Sequence, residues 1–165
     1  PQEIDYEAYD KDLSINNMTF RPQQSASLLI DKKGLTLDDL IELKHSTSSS
    51  FFNRVKDDLE ALRAINKDSL TSVALDVLKN WNGEFNKESK GAVLFVNLYF
   101  SLDKGNLFKE AWSANNPLNT PDGFKNPEEV LAKLKGTSEF MIKTFNTLEV
   151  PYGSVFRIKI GEHEI

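Results

Sequence analysis

The chain has 165 residues, 39% of them hydrophobic and 27% charged, with a formal net charge of −5. That length supports one domain with a sizeable core, and the interspersed charges leave no basic footprint for nucleic acid or for an anionic membrane surface. No apolar run reaches membrane-spanning length, and a cysteine count of zero excludes disulfides, thiolate-bound zinc and a thiol nucleophile.

No signal peptide is visible at the start. Because the sequence opens on Pro1 without an initiator Met, its natural N-terminus is expected to have been removed. Residues 1–20 are polar and aperiodic; Asp5, Glu7, Asp10 and Asp12 with Tyr6 and Tyr9 read as an extended or loop segment. Pro22 suits the first turn of a helix, where its missing N–H costs nothing. That helix runs through Leu28, Leu29 and Ile30 and stops before Gly34.

Thr36, with Asp38 and Asp39 near the positive end of the dipole, opens the next helix. Its apolar face is Leu37, Leu40, Ile41 and Leu43. In the run Ser48-Ser49-Ser50 a further N-cap precedes Phe51/Phe52, Val55, Leu59, Leu62 and Ile65 at helical spacing. Asp68 or Ser69 caps a helix with the stripe Leu70, Val73/Ala74, Val77/Leu78 and Trp81, ended by Asn82-Gly83.

Within residues 91–102, Ala92 to Val96 alone could be a buried strand, but the segment is too long for a typical strand and reads better as a helix buried on most sides and capped by Ser89. Residues 113–125, rich in Asn, Pro and Gly, read as a loop. Asn126-Pro127-Glu128-Glu129 has an N-cap, a proline at the first position and a Glu placed for a capping box. Its helix continues through Leu134, Met141 and Phe145 across Gly136-Thr137. Val155, Phe156, Ile158 and Ile160 read as one terminal strand. A lone strand cannot satisfy its backbone groups, so its partners are expected outside this chain. The organisation is thus a single mainly α domain or fragment, with loop over 1–20, helices over 22–146 and strand over 150–165.

Catalytic chemistry is sparse. His45 and His163 are far apart and form no zinc pattern; they read as surface histidines. The serine run lacks a Gly-x-Ser-x-Gly elbow and is better explained by capping. Lys32-Lys33-Gly34 lacks the lead of a phosphate loop. The acidic start lacks the spacing of a calcium loop and reads as a solvated loop. Leu94, Phe95, Tyr99 and Phe100 on a buried helix read as core. The residues alone define a helical domain without a complete active site, and no catalytic or metal-ligating residue is assigned.

The order of features resembles a known family. Asn16-Asn17-Met18-Thr19-Phe20-Arg21 runs into Ser27-Leu28-Leu29, and Leu35-Thr36-Leu37 opens a helix. Leu78-Lys79-Asn80-Trp81-Asn82-Gly83 is followed by Ser89-Lys90-Gly91-Ala92, and Val150-Pro151-Tyr152-Gly153 with Arg157 closes the series. This series is similar to the β-chain interior of the penicillin amidase family, which includes penicillin acylases and acyl-homoserine-lactone acylases. Asn82 stands for the family's usual Asp, and Tyr152 for its usual Trp. The resemblance implies a helical subdomain of an N-terminal-nucleophile hydrolase β chain with a C-terminal β-strand. It also implies amide hydrolysis by a serine whose free α-amine acts as base. An α-amine has a pKa of about 8, against about 10.4 for lysine, so it accepts a proton near neutral pH.

On this resemblance the nucleophile lies outside the chain, since Ser14, Ser25 and Ser27 are internal. The oxyanion asparagine is expected upstream too, with Asn16 and Asn17 the only local candidates. Arg21 is the one functional position the family pattern transfers, as a substrate-binding residue near the acyl pocket. Its other reading is a surface arginine at a helix start. For Asp10 the resemblance offers an alternative to the solvated loop, a calcium ligand of the intact enzyme, and no other cofactor is implied. The implied partners are the remaining acylase α and β chains and a small acylated amide, in the periplasm or outside the cell. Neither nucleic acid nor membrane is an expected partner.

Two readings follow. As a segment of an acylase, inactive alone, the chain should expose an apolar helix face and an unsatisfied edge around Val155–Ile160, and that face could also support a homodimer. As a non-catalytic helical binding or scaffold module it should have a closed core and a paired terminal strand.

Overall fold

A computed structural model describes residues 17–157, 159–160 and 163–164. The acidic start, Asp10 and Asn16 included, lies outside the described residues. The fold is mainly α, as the sequence pattern implies: α1 (Phe20–Leu29), α2 (Leu37–Lys44), α3 (Ser50–Ala61), α4 (Ser69–Asn80), α5 (Ala92–Ser101), α6 (Pro127–Phe145) and a helical turn α7 (Tyr152–Val155).

Local chemistry sets the helix starts. At α2 the Thr36 hydroxyl accepts from the Asp39 N–H at 3.2 Å while the Asp39 carboxylate accepts from the Thr36 N–H at 2.8 Å, a reciprocal capping box. Ser49 caps α3 by accepting from Phe52 N–H at 3.1 Å, and Asp68 caps α4 by accepting from Thr71 N–H at 2.9 Å.

Two expected caps do not form. Asn126, at φ −128° and ψ 81°, lies outside the extended geometry of a capping residue, and its side chain makes no cap bond. Pro127 carries the start of α6 instead, and the helix passes through Gly136 to end on Asn146 in the left-handed region at φ 56°. At α5 the boundary residue is Gly91, because the Ser89 hydroxyl donates to the Glu84 carbonyl at 2.5 Å and so belongs to the preceding turn.

The core lies between α3, α4, α5 and α6. Phe52, Val55 and Leu59 face Leu75, Leu78 and Trp81, with Leu94, Leu98, Leu134 and Met141 completing it. The five buried positions of α5 (Ala92, Val93, Leu94, Phe95 and Leu98) fit its reading as a helix enclosed on most sides. In contrast, α2 buries no residue, and α1 buries only Gln23.

The strands differ from expectation. Ahead of the predicted loop, β1 (Phe108–Glu110) pairs antiparallel with β2 (Asp122–Phe124), which lies within that loop, Phe108 opposite Phe124. The terminal strand starts later than its β-rich composition suggests. Pro151, at φ −60°, leads into α7, closed by Phe156 N–H donating to Tyr152 O at 3.0 Å. Among the described residues of that span, β3 (Lys159–Ile160) is a strand, and it pairs with β4 (His163–Glu164), so it has a local partner within the chain.

The two aromatic landmarks of the sequence meet in space. Trp81 stacks obliquely on Phe52 and Phe95 at centroid separations of 4.4 and 5.3 Å, and Phe85 links it to Tyr152 at 5.3 and 5.4 Å. Tyr152 N–H and Gly153 N–H donate to Ser89 O and Lys87 O at 2.9 and 2.8 Å. Glycine is required at Gly91, where an added Cβ would sit 2.5 Å from Trp81 Cβ. Gly91→Ala is therefore expected to cost about 1–3 kcal/mol by overpacking. Gly136→Ala meets nothing within 4 Å and should stabilise α6 by about 0.5–1 kcal/mol. Urea midpoints moving in opposite directions would check both.

Candidate functional site

The transferred functional position, Arg21, stands on the exposed side of the first turn of α1. Its neighbours in that turn are held in place. The Phe20 ring packs on Phe51 and Phe108 at 5.2 and 5.9 Å, and Ser50 donates its hydroxyl to Phe20 O at 2.9 Å. Gln23, only 2% exposed, donates through Nε2 to Met18 O at 2.7 Å and to Thr120 O at 2.9 Å.

Beside this turn, α1, α3 and the 118–122 loop enclose a cleft of about 490 Å³. Gln23, Ser27, Asn53, Arg54, Asp57 and Asp122 contribute to its walls. Arg54 binds no carboxylate among the described residues. Its Nη2 donates to Gln23 Oε1 at 3.3 Å and to Leu118 O, while its Nε is buried without a hydrogen-bond partner. Thr120, fully buried, receives Ser113 N–H and donates to Asn116 O, both at 2.8 Å, which fixes the loop that Gln23 grips.

A negative rim adjoins this wall. Burial, and then the nearby carboxylates Asp122 and Asp57, push the Asp58 carboxyl above its usual range. The helix caps behave oppositely. Bonds from Thr71 and then Lys135 hold Asp68 below the usual range, and bonds from Thr36 do the same for Asp39.

The other sequence candidates do not assemble with Arg21. His45 is exposed at the C-terminal end of α2, and the side chain of His163 lies outside what is described. A second cleft of about 480 Å³ carries Asp39, Glu42, His45 and Glu84, but the described residues contain no cluster able to hold a metal ion. The serine run caps and ties: besides Ser49 and Ser50, Ser48 O accepts from Gln24 Nε2 at 2.5 Å. Within α5, Phe95 is core as read, whereas Phe100 is 73% exposed. Sequence reasoning missed Gln23 and Arg54. A glutamine in a polar helix turn gives no sign that its partners lie 31 and 97 residues away.

Among the described residues many serine and threonine hydroxyls are engaged in structural bonds. Ser25, Ser27 and Ser138 donate to helix carbonyls, and Thr36 and Thr71 donate to the carboxylates that cap their own helices. None of these pairs resembles a nucleophile held by a base and a third orienting group. No helix of the described residues is long and apolar enough to cross a membrane. In comparison with known proteins, the family model described as penicillin amidase matches residues 2–155.

The Asp58 environment predicts a pH dependence. A carboxyl with a raised folded-state pKa binds more protons folded than unfolded, so its cost is absent at acid pH and grows as pH rises through the folded value. Asp58→Asn should therefore raise the urea midpoint at pH 7 and lose that advantage as pH falls toward the unfolded value of about 3.9. Paired denaturation curves across this range check it.

Proposed function

Because the chain belongs to the penicillin amidase family, we propose that it is the helical portion of a linear-amide hydrolase, an acylase releasing an acyl group from an amine. The observation that carries this reading is the family match across residues 2–155. The reactive serine and its α-amine base come from another segment of the enzyme, and this chain alone does not turn over. In that enzyme Arg21 lies beside the acyl site, where a planar guanidinium is suited to orient a substrate oxygen through two parallel N–H donors. The enzyme works in the periplasm or outside the cell.

The remaining acylase chains supply the cover for the apolar face of α2, where Leu37 is 72% exposed beside Leu40 and Ile41; a second copy is the alternative occupant. What supports this is the mismatch between a strongly capped helix and the absence of any buried residue on it. The closed core and the local pairing of β3 with β4 favour a second reading, a helical scaffold module without a reaction of its own.

Assaying a chromogenic acyl anilide separates the two. The chain alone should give no turnover, and the acylase containing it should hydrolyse the anilide. In that acylase Arg21→Ala should lower kcat/KM about tenfold or more, the value of a lost charged hydrogen bond. Turnover by this chain alone, abolished by a single substitution within it, would overturn the assignment.

A further inference from the structure

We propose that Gln23 is a positioning residue for Arg21, acting through the first turn of α1; this rests on the assignment of Arg21 to the acyl site. The helix α1 has few supports of its own. It is ten residues long, Thr19 makes no side-chain cap bond, and no acidic residue sits in its first turn. A helix of that length is marginal by itself. Gln23 is its one buried residue, so beyond the Phe20 ring on Phe51 and Phe108 the placement of α1 rests on polar ties rather than on an apolar stripe.

Those ties are specific. The amide of Gln23 uses both N–H donors, on Met18 O and Thr120 O, and its oxygen accepts from Arg54 Nη2. Met18 anchors the entry of the helix, Thr120 the cleft loop and Arg54 the adjacent α3. An apolar contact would let the helix slide or roll by fractions of a turn. Buried carbonyls that must each be met by one donor hold it in one place. Arg21 sits between Phe20 and Gln23, both anchored, and lies roughly 200° around the helix from Gln23. The turn is thus fixed on its inner side and presents Arg21 outward.

Gln23→Leu keeps the size of the side chain and removes both donors. In the acylase containing this chain, KM should rise about tenfold while kcat changes less than about twofold, the pattern of lost binding rather than lost chemistry. Gly91→Ala, a destabilising change remote from α1, should leave KM unaltered. In an Arg21→Ala background Gln23→Leu should add nothing, because two residues acting through one group are not additive. A full tenfold further loss in that background, or an unchanged KM in the single variant, would overturn the proposal.

Hydrogen exchange on the chain itself gives an arm that does not depend on activity. Gln23→Leu should speed exchange of the α1 amides about tenfold and leave α4–α6 unchanged. Unchanged α1 exchange would overturn the clamp. If Arg21→Ala is silent in the acylase while α1 exchange does speed up, the acyl-site assignment fails and the clamp stands as a holder of α1 only, which also overturns its positioning role.

Discussion

The indole of Trp81 lies against Phe52 of α3 and Phe95 of α5, with its N–H donating to the Glu84 carbonyl at 3.0 Å and Gly91 flush against its Cβ. Four parts of the molecule depend on that seat. It terminates α4, sets the depth at which α5 begins, shapes the 82–91 turn and, through Phe85, receives Tyr152 from the far end of the chain. A large ring with one polar atom suits this place, because the apolar body fills the core while the N–H meets the Glu84 carbonyl, which also accepts from the Ser89 hydroxyl. The turn is fixed from the other side as well, by Ser49 N–H on Gly83 O and Phe85 N–H on Thr47 O.

Two different kinds of physics therefore share one small domain. The α3–α6 core is held by area: side chains such as Leu94, Leu98 and Leu134 are almost wholly removed from water. Apart from the Phe20 ring, the α1 side is held by directed polar bonds around Gln23, Arg54 and Thr120. Area tolerates small displacements, whereas a buried donor–acceptor set does not, since breaking one bond leaves a group unpaired. The less apolar attachment is also the one bearing the residue assigned to substrate. The proposed role of Arg21 would give this contrast a purpose, because a binding group is useful only if its position is exact to fractions of an ångström.

Much of this was legible in the residues. The helices announced themselves through period and caps: Thr36, Ser49 and Asp68 are short oxygen-bearing side chains in extended backbone just before apolar stripes. What stayed hidden depended on distance along the chain. Phe108–Glu110 and Asp122–Phe124 are three-residue strands too short to show alternation, paired across a loop rich in Asn and Pro. Tyr152–Val155 reads as β by composition and is a helical turn, since Pro151 fixes the entry and Tyr152 has its ring partner in Phe85. At Asn126 the residue type was right for a cap but its backbone was not. The polar set around Gln23 was not legible, because Gln23 finds its partners only once α1, α3 and the 118–122 loop are together.

The bonds from Tyr152 and Gly153 to Ser89 and Lys87 have a mechanical meaning. They lie between the C-terminal strands and α6 along the chain, so tension arriving from the C-terminal side meets them, and the ring contact of Tyr152 with Phe85, before it reaches the long helix. The five residues between Asn146 and Tyr152, with Leu148 and Val150 buried in the core, come under load only after this fastening parts. Load applied at that end is thereby routed into the 84–91 turn and the Trp81 seat, which spares α6 from being drawn out of the core.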